Sequence, residues 1–199
     1  MIHRALGCVA ALAAVAALGA CISLFPKSAP SQLYRFDAAV QPASGPPTAI
    51  RAAMIEFDPA AAGDRILTVD GDQVAYVQDG RWAVPASQMF QEAVTHGFLA
   101  SGMRLVDIGE AGQAKYRLRL QVTHFEARYL GGPKAAPTVF VSLRATLDRP
   151  NGTLVAEQPF EASVPAGDNR LGAIVQAYDQ AVSKTVGDLI AWVGQNATV

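Results

Sequence analysis

The chain has 199 residues, of which 16 are Lys or Arg and 17 are Asp or Glu, so its formal net charge is −1. That length allows one ordinary domain behind a targeting segment and argues against a two-domain enzyme. The near balance of charges excludes the strongly basic surface that a nucleic-acid backbone requires, so no nucleic-acid partner is expected.

The first residues have the order of a secretory signal, in which Arg4 precedes the uncharged run 5–20 and Cys21 follows it. As a helix the run would span roughly 24 Å, short of the roughly 30 Å hydrocarbon core of a bilayer. We therefore predict that residues 1–20 are removed. Without Arg4 the remaining chain has 15 basic and 17 acidic residues, a net charge of −2.

The residues Leu18-Gly19-Ala20-Cys21 resemble the lipobox of bacterial lipoproteins, in which the cysteine becomes an acylated N-terminus. Diacylglycerol and an N-acyl chain are accordingly expected on Cys21, and no cofactor. Ile22-Ser23 lack an acidic inner-membrane retention signal, which favours the outer membrane, facing the periplasm. A plain secretory signal with a cysteine near the cut is the alternative.

These features divide the chain into a lipoprotein signal peptide at residues 1–20, a lipidated N-terminus and tether at 21–31, and a single periplasmic domain at 32–199. The other cysteine, Cys8, lies in the segment predicted to be removed. An intramolecular disulfide is therefore not expected, and the domain must be stabilised by burying apolar surface.

The first half of the domain has the patterns of short strands. Residues 33–36 and 49–57 are predicted strands. Residues 66–69 and 74–77 flank Asp70-Gly71-Asp72, a tight-turn signal, and together these segments predict a meander or a hairpin.

A helix is predicted from Pro85, placed as its first residue, to Gly102, which ends it. Between them Met89, Phe90, Val94 and Phe98 recur at helical spacing. Residues 104–108 then predict another strand.

Residues 116–122 alternate between apolar and polar side chains, as expected for a half-buried antiparallel strand. Continued alternation would point His124 inward and Phe125 outward. Two alternatives remain open at this stage: a bulge shifts the register, or Phe125 covers the other face.

The second half predicts a hairpin and a helix. Residues 139–147 alternate again, Asn151-Gly152 predicts a turn, and 154–164 returns as a strand. Pro159 cannot donate to a strand ladder, so this strand is expected at an edge or at a bulge. Asp168 or Asn169 is expected to cap the last helix.

An apolar stripe runs along the last helix from Leu171 to Val193 and predicts that the helix packs on the sheet. The elements together predict an α+β fold. Its architecture is a two-layer sandwich, a mostly antiparallel sheet with two helices packed on one face.

Residue types that carry chemistry are few. The domain has only His96 and His124 as histidines, and His124 shares a strand face with Glu126 by parity but with no further recognisable ligand. These groups favour ordinary hydrogen-bonded or exposed side chains over a metal or acid–base site. The Walker motif, the nucleophile elbow and the dinucleotide fingerprint do not occur, so we expect no enzyme and assign no catalytic residue and no metal ligand.

The chain resembles the ABC-type transport auxiliary lipoproteins, the family that includes the Pqi-type intermembrane transport lipoprotein. The residues that carry the resemblance are Tyr34, Arg81, Trp82, Pro85, Phe125 and Trp192, each within a short matching motif. Val84 stands where the family usually has an acidic residue, which bears on subfamily and partner rather than on fold.

The resemblance implies a noncatalytic auxiliary subunit of an MCE-type ABC system that moves lipid between inner and outer membranes. Its partners would be an MCE-domain protein, the ABC transporter and membrane lipid, and a homo-oligomer is left open. The predicted partner contacts are the loop with Leu130, Gly131, Gly132 and Pro133, and the strand around Pro159. A structural envelope lipoprotein and an independent lipid-binding carrier are the alternatives.

Overall fold

The computed structural model describes residues 32–38, 48–52, 55–106 and 114–197. The predicted signal peptide, Cys21, the tether and the last residues of the strand predicted at 104–108 lie outside these ranges. The described residues all belong to one compact unit. No helix in the described part of the chain is both long enough and apolar enough to cross a membrane.

Nine strands and two helices make up the described fold. In chain order they are β1 Gln32–Tyr34, β2 Ala49–Ala52, β3 Glu56–Phe57, β4 Arg65–Asp70, β5 Gln73–Trp82, α1 Ala86–Ala100, β6 Arg104–Val106, β7 Tyr116–Arg128, β8 Thr138–Asp148, β9 Leu154–Pro165 and α2 Leu171–Asn196.

The longest strand, β7, organises an open sheet. On one side it pairs antiparallel with β8, which pairs antiparallel with β9. On the other side β2, β3 and β4 follow one another along β7, all parallel to it. Strand β6 then pairs parallel with β2, β5 antiparallel with β4, and β1 parallel with β5. The predicted antiparallel core is confirmed, and the short parallel strands are an addition that the sequence patterns did not indicate.

A bulge in β7 resolves the two alternatives for Phe125. The pairing of β7 with β8 shifts register between Val122 and His124, so Thr123 is the extra residue. Val122 and Phe125 therefore lie on the same face, and the Phe125 side chain is buried. His124 takes the opposite face, where its ring meets Phe140 with centroids 5.9 Å apart.

Both helices pack on the same face of the sheet, because both contact Phe125. The Phe90 ring of α1 lies 6.2 Å from the Phe125 ring, and the Tyr178 ring of α2 lies 4.9 Å from it. The other residues of the predicted α2 stripe are also buried from Ile174 to Val193. The two-layer α+β sandwich is thus confirmed.

The ends of α1 lie where the sequence predicted them, whereas the start of α2 is capped differently from the prediction. Pro85 immediately precedes α1, and Gly102 follows it with a φ of 81°, which glycine adopts without a steric penalty. The predicted side-chain cap of α2 is wrong. Arg170 is the capping residue, and it makes no side-chain capping bond. Asp168 and Asn169 hold other partners.

Candidate contact surfaces

The segment between β7 and β8 is an ordered loop with one very exposed leucine. Leu130 exposes 80% of its surface, the largest fraction among the large hydrophobic side chains described. The peptide nitrogen of Gly132 donates to the Tyr129 carbonyl at 3.4 Å, and that of Ala135 donates to the Gly132 carbonyl at 3.0 Å. The φ of Gly132 is 84°, a conformation that L side chains rarely adopt.

Asn169 clamps this loop to the start of α2. Its Oδ1 accepts a hydrogen bond from the Tyr129 hydroxyl at 3.0 Å, and its Nδ2 donates to the Pro133 carbonyl at 3.1 Å. The Ala166 nitrogen donates to the Pro137 carbonyl at 2.8 Å. Leu130 is therefore displayed by a backbone that is fixed at both ends.

A shallow hollow of about 340 Å³ lies beside Leu130. Its lining includes Val69, Glu126, Arg128 and Tyr129. The Arg128 guanidinium donates to the Glu126 carboxylate at 2.6 Å and also lies 4.0 Å from the centre of the Phe140 ring. This ion pair is mostly buried. The hollow is therefore lined by paired charges and by apolar side chains.

Strand β9 forms one edge of the sheet, as predicted. Among the described strands it pairs only with β8, and Pro159 stands opposite Arg144 in that ladder. The side chains of Glu157, Pro159 and Glu161 are exposed. Charges and a proline along an edge hinder pairing with another strand, so a partner here would contact side chains rather than extend the sheet.

The face of the sheet opposite the helices carries a network of ion pairs. The Asp148 carboxylate, with 3% of its side chain exposed, accepts from Arg117 at 3.1 Å and from Arg119 at 3.0 Å. Arg144 donates to Glu157 at 2.7 Å in a pair that is about half exposed. Arg119 and Arg144 line an open hollow of about 370 Å³ on this face.

The two histidines have no metal-like surroundings. His96 is exposed on α1, and His124 meets Phe140 edge-on while Glu126 is taken by Arg128. Within the described residues, no group of three or more His, Cys, Asp or Glu side chains is placed to hold a metal ion.

Of the residues that carry the family resemblance, the two tryptophans are buried and Arg81 is exposed. Trp82 is 2% exposed, and its ring meets Tyr178 edge-on with centroids 5.1 Å apart. Trp192 is 8% exposed and packs on Phe160. Arg81 donates to Asp64 at 3.1 Å. Both tryptophans are thus core residues.

Tyr34 joins strand β1 to its neighbours. Its carbonyl accepts a hydrogen bond from the Ala83 nitrogen at 2.8 Å, and its ring reaches Gly80 beside Leu171. These contacts hold the beginning of the domain against β5 and the start of α2.

The apolar cleft between α1 and the sheet is very small. Ile55, Val94, Leu105, Leu118 and Leu120 contribute to it, and its volume is about 30 Å³. Small-molecule pockets are typically about 300–1,000 Å³. Within the described residues this cleft has room for about one water molecule and not for an acyl chain.

Sequence patterns missed the Asn169 clamp. The sequence offers Asp168 and Asn169 for one capping position and does not indicate that Asn169 binds the loop between β7 and β8. Tyr129 follows a strand and precedes an apolar loop, and its hydroxyl group needs a hydrogen-bond partner. That need is the sequence feature that could have pointed to Asn169.

Comparison with known proteins agrees with this geometry. A model of the ABC-type transport auxiliary lipoprotein component matches residues 33–190. The fold is similar to that of protein XCC0632 from Xanthomonas campestris, with a TM-score of 0.74 and 22% identity over 83% of this chain and 96% of that one. The hypothetical protein CT253 from Chlamydia trachomatis gives a TM-score of 0.51 and 12% identity over 75% of this chain and 96% of that one. No curated protein gives a significant match.

Proposed function

The chain belongs to the family of ABC-type transport auxiliary lipoprotein components, and we propose that it is the noncatalytic, lipid-anchored auxiliary subunit of an MCE-type ABC system. In this role it sits at the outer membrane, faces the periplasm and assists lipid traffic between the two membranes. The family is one of auxiliary components rather than of enzymes, which agrees with the scarcity of catalytic groups in the sequence.

One observation carries the proposal: the family match at 33–190 begins a short distance after the tetrapeptide Leu18-Gly19-Ala20-Cys21, with residues 22–32 between them. A lipoprotein domain that starts soon after a lipobox has a covalent route to the membrane. Two or three acyl chains on Cys21 anchor a protein far more firmly than one, since each buried methylene contributes about 0.8 kcal/mol.

Because the domain is anchored to the membrane, it can bind a partner effectively even when the affinity of the isolated contact is modest. Tethering two binding partners to one compartment raises their effective concentration without any new contact. The edge strand at Pro159 and the ion-pair face beside Arg144 are the surfaces that we assign to the periplasmic protein partner. Both present fixed side chains on a rigid sheet.

The size of the α1 cleft favours an adaptor over an independent lipid carrier. A carrier must enclose most of an acyl chain, and the cleft of about 30 Å³ between α1 and the sheet is too small to do so. Lipid would then pass through the partner, with this subunit fixing the partner to the membrane.

Affinity purification from native membranes tests the proposal. The tagged full-length protein is solubilised in mild detergent, and the co-purifying proteins are identified by mass spectrometry. We expect an MCE-domain protein together with a permease and an ATPase. A Cys21→Ser variant should leave the membrane fraction and recover much less of this complex.

A surface variant provides the matched control. Gln88→Ala changes an exposed residue of α1, far in sequence from the proposed contact surfaces, and should purify with the same partners as the wild type. Recovery of peptidoglycan or of an unrelated secretion channel in place of the ABC components would contradict the proposal.

A further inference from the structure

Three connections meet at one end of the sheet, which we call the proximal end. Because β7 is parallel to β4, both strands end there, and β5 begins there after the turn Gly71-Asp72. Strand β8 begins at this end because it is antiparallel to β7, and β9 ends there because it is antiparallel to β8. The proximal end therefore carries the turn 71–72, the loop 129–137 and the segment 166–170.

The N-terminal strand comes from the same direction. Strand β1 runs parallel to β5 beside the last residues of that strand, 80–82, so it points away from the proximal end and begins at Gln32 on the side nearer that end. Gln32 and Tyr34 line a hollow together with Asp168, Arg170 and Leu171, at the start of α2. The adjoining residue, Asn169, is the one that clamps the loop at Tyr129 and Pro133.

The length of chain before β1 limits where a lipid anchor lies. Residues 22–31 separate Cys21 from Gln32. Even fully extended, they reach only about 36 Å. A membrane that holds an acylated Cys21 therefore lies within about 36 Å of Gln32.

Two strongly exposed apolar side chains, Val74 and Leu130, lie at the proximal end. Val69 pairs with Val74 in one direction and with Arg128 in the other, so these three side chains share the outer face. Leu130, two residues after Arg128, lies against the same hollow as Val69. Val74 is 62% exposed and Leu130 is 80% exposed.

The net charge of the proximal end does not select a binding partner. The loop 130–137 contains no acidic residue and a single basic one, Lys134. Of the charges nearby, Arg128 pairs with Glu126 and Arg170 with Asp168. Asp70 and Asp72 at the adjoining turn add negative charge beside Lys134. A partner here is selected by apolar contact rather than by net charge.

The geometry points to a lipid surface as the occupant: with Cys21 anchored, the proximal end rests on the membrane and Leu130 dips into its interface. The inference depends on the acyl anchor of the proposed function and adds an orientation to it. The helix layer and the edge strand β9 then stand upright from the bilayer, and the far ends of β8 and β9 point toward the periplasm. The clamp at Asn169 keeps Leu130 displayed toward the lipid.

Site-directed fluorescence on the acylated full-length protein tests this orientation. Leu130→Cys is labelled with an environment-sensitive probe and reconstituted in vesicles of phosphatidylethanolamine and phosphatidylglycerol that contain spin-labelled lipid. Leu154→Cys is the matched control, since Leu154 is also an exposed leucine, 57% exposed, but begins β9 at the opposite end of the sheet. Acylation of Cys21 leaves the introduced thiol as the only free one in the mature chain.

The probe at position 130 should shift to the blue and lose emission to the spin-labelled lipid, while the probe at 154 should do neither. The quenching at 130 should persist when salt is raised, because the contact is apolar. Equal quenching at both positions, or quenching at neither, overturns the inference.

Two further outcomes distinguish a lipid contact from a contact between copies and from a missing anchor. If the probe at 130 is shielded only at high protein density, with energy transfer between labelled copies, the surface binds a second copy of this chain and the lipid assignment is wrong. Intact mass is measured on the same samples. An unacylated chain overturns the proposed function itself, whereas an acylated chain without quenching at 130 overturns only the orientation.

Discussion

The Phe125 ring lies on the Tyr178 ring, with centroids 4.9 Å apart and an interplanar angle of 35°. The contact joins the central strand β7 to α2. It depends on the bulge at Thr123, since a regular strand would have turned Phe125 to the other face. Phe36, Phe57, Trp82 and Phe90 surround the same ring, so one register shift organises the aromatic core.

Phe125→Ala should strongly destabilise the domain. The ring is 1% exposed and is packed on all sides, so its removal leaves a cavity. The expected loss in the free energy of unfolding is about 3–5 kcal/mol. Chemical denaturation measures it, with His124→Ala as the neighbouring control, for which we expect well under half that loss. Similar losses in the two variants would contradict the core position of Phe125.

Tyr178→Phe should make the domain more resistant to alkali. The Tyr178 hydroxyl is buried and has no hydrogen-bond partner among the described residues. Burial, and secondarily the nearby Glu126 carboxylate, raises the pKa of this phenol well above its ordinary value of 10.0. Above that pH the unfolded chain loses the proton and the folded chain keeps it, so the stability of the wild type falls as pH rises.

The test compares wild-type and Tyr178→Phe denaturation midpoints from neutral to alkaline pH. The phenylalanine variant should be at least as stable at neutral pH, because an unpaired buried hydroxyl is removed. It should also lose less stability above pH 10.0, the ordinary pKa of the phenol. An identical pH dependence in the two proteins would show that Tyr178 ionises freely in the folded state.

Asp148→Asn should cost more stability than Glu157→Gln, although both side chains pair with arginine on the same sheet face. Asp148 is nearly buried between Arg117 and Arg119, and the buried Arg117 Nε has no hydrogen-bond partner among the described residues. We expect a loss of about 1–3 kcal/mol for Asp148→Asn. The exposed pair of Glu157 with Arg144 should contribute only about 0–1 kcal/mol. Thermal unfolding of both variants measures the difference, and a larger loss at Glu157 would be inconsistent with the burial pattern.

Asn169→Ala should loosen the loop 129–137 without unfolding the domain. Two hydrogen bonds are lost, each with a net contribution of about 1 kcal/mol at an exposed site. Amide hydrogen exchange at Gly132 and Ala135 should accelerate, while exchange in β8 stays unchanged. Asn151→Ala, in the β8–β9 turn, serves as the control and should leave the loop protected.

Sequence patterns predicted the antiparallel core because β7 and β8 each have one buried and one exposed face, which imposes a period of two. They also predicted both helices and the edge position of β9 at Pro159. They did not predict that β2, β3 and β4 add in parallel along β7. These strands are two to six residues long, too short for a periodicity that distinguishes parallel from antiparallel pairing.

The candidate surfaces were predictable only in part. The sequence shows an apolar loop that begins at Leu130, and the structure exposes 80% of that leucine. The direction of β1 relative to β5, on which the proposed orientation depends, is not revealed by three residues of strand. The Asn169 clamp joins residues 36 and 40 positions apart, beyond the range of local patterns.

The most direct test of the account is the intact mass of the protein extracted from the membranes of cells that make it from its full-length gene. We predict a chain that begins at Cys21 and is heavier than the bare polypeptide by a diacylglycerol and an N-linked acyl chain. The Cys21→Ser variant should lack this added mass. A bare polypeptide mass, or a chain that retains residues 1–20, would contradict it.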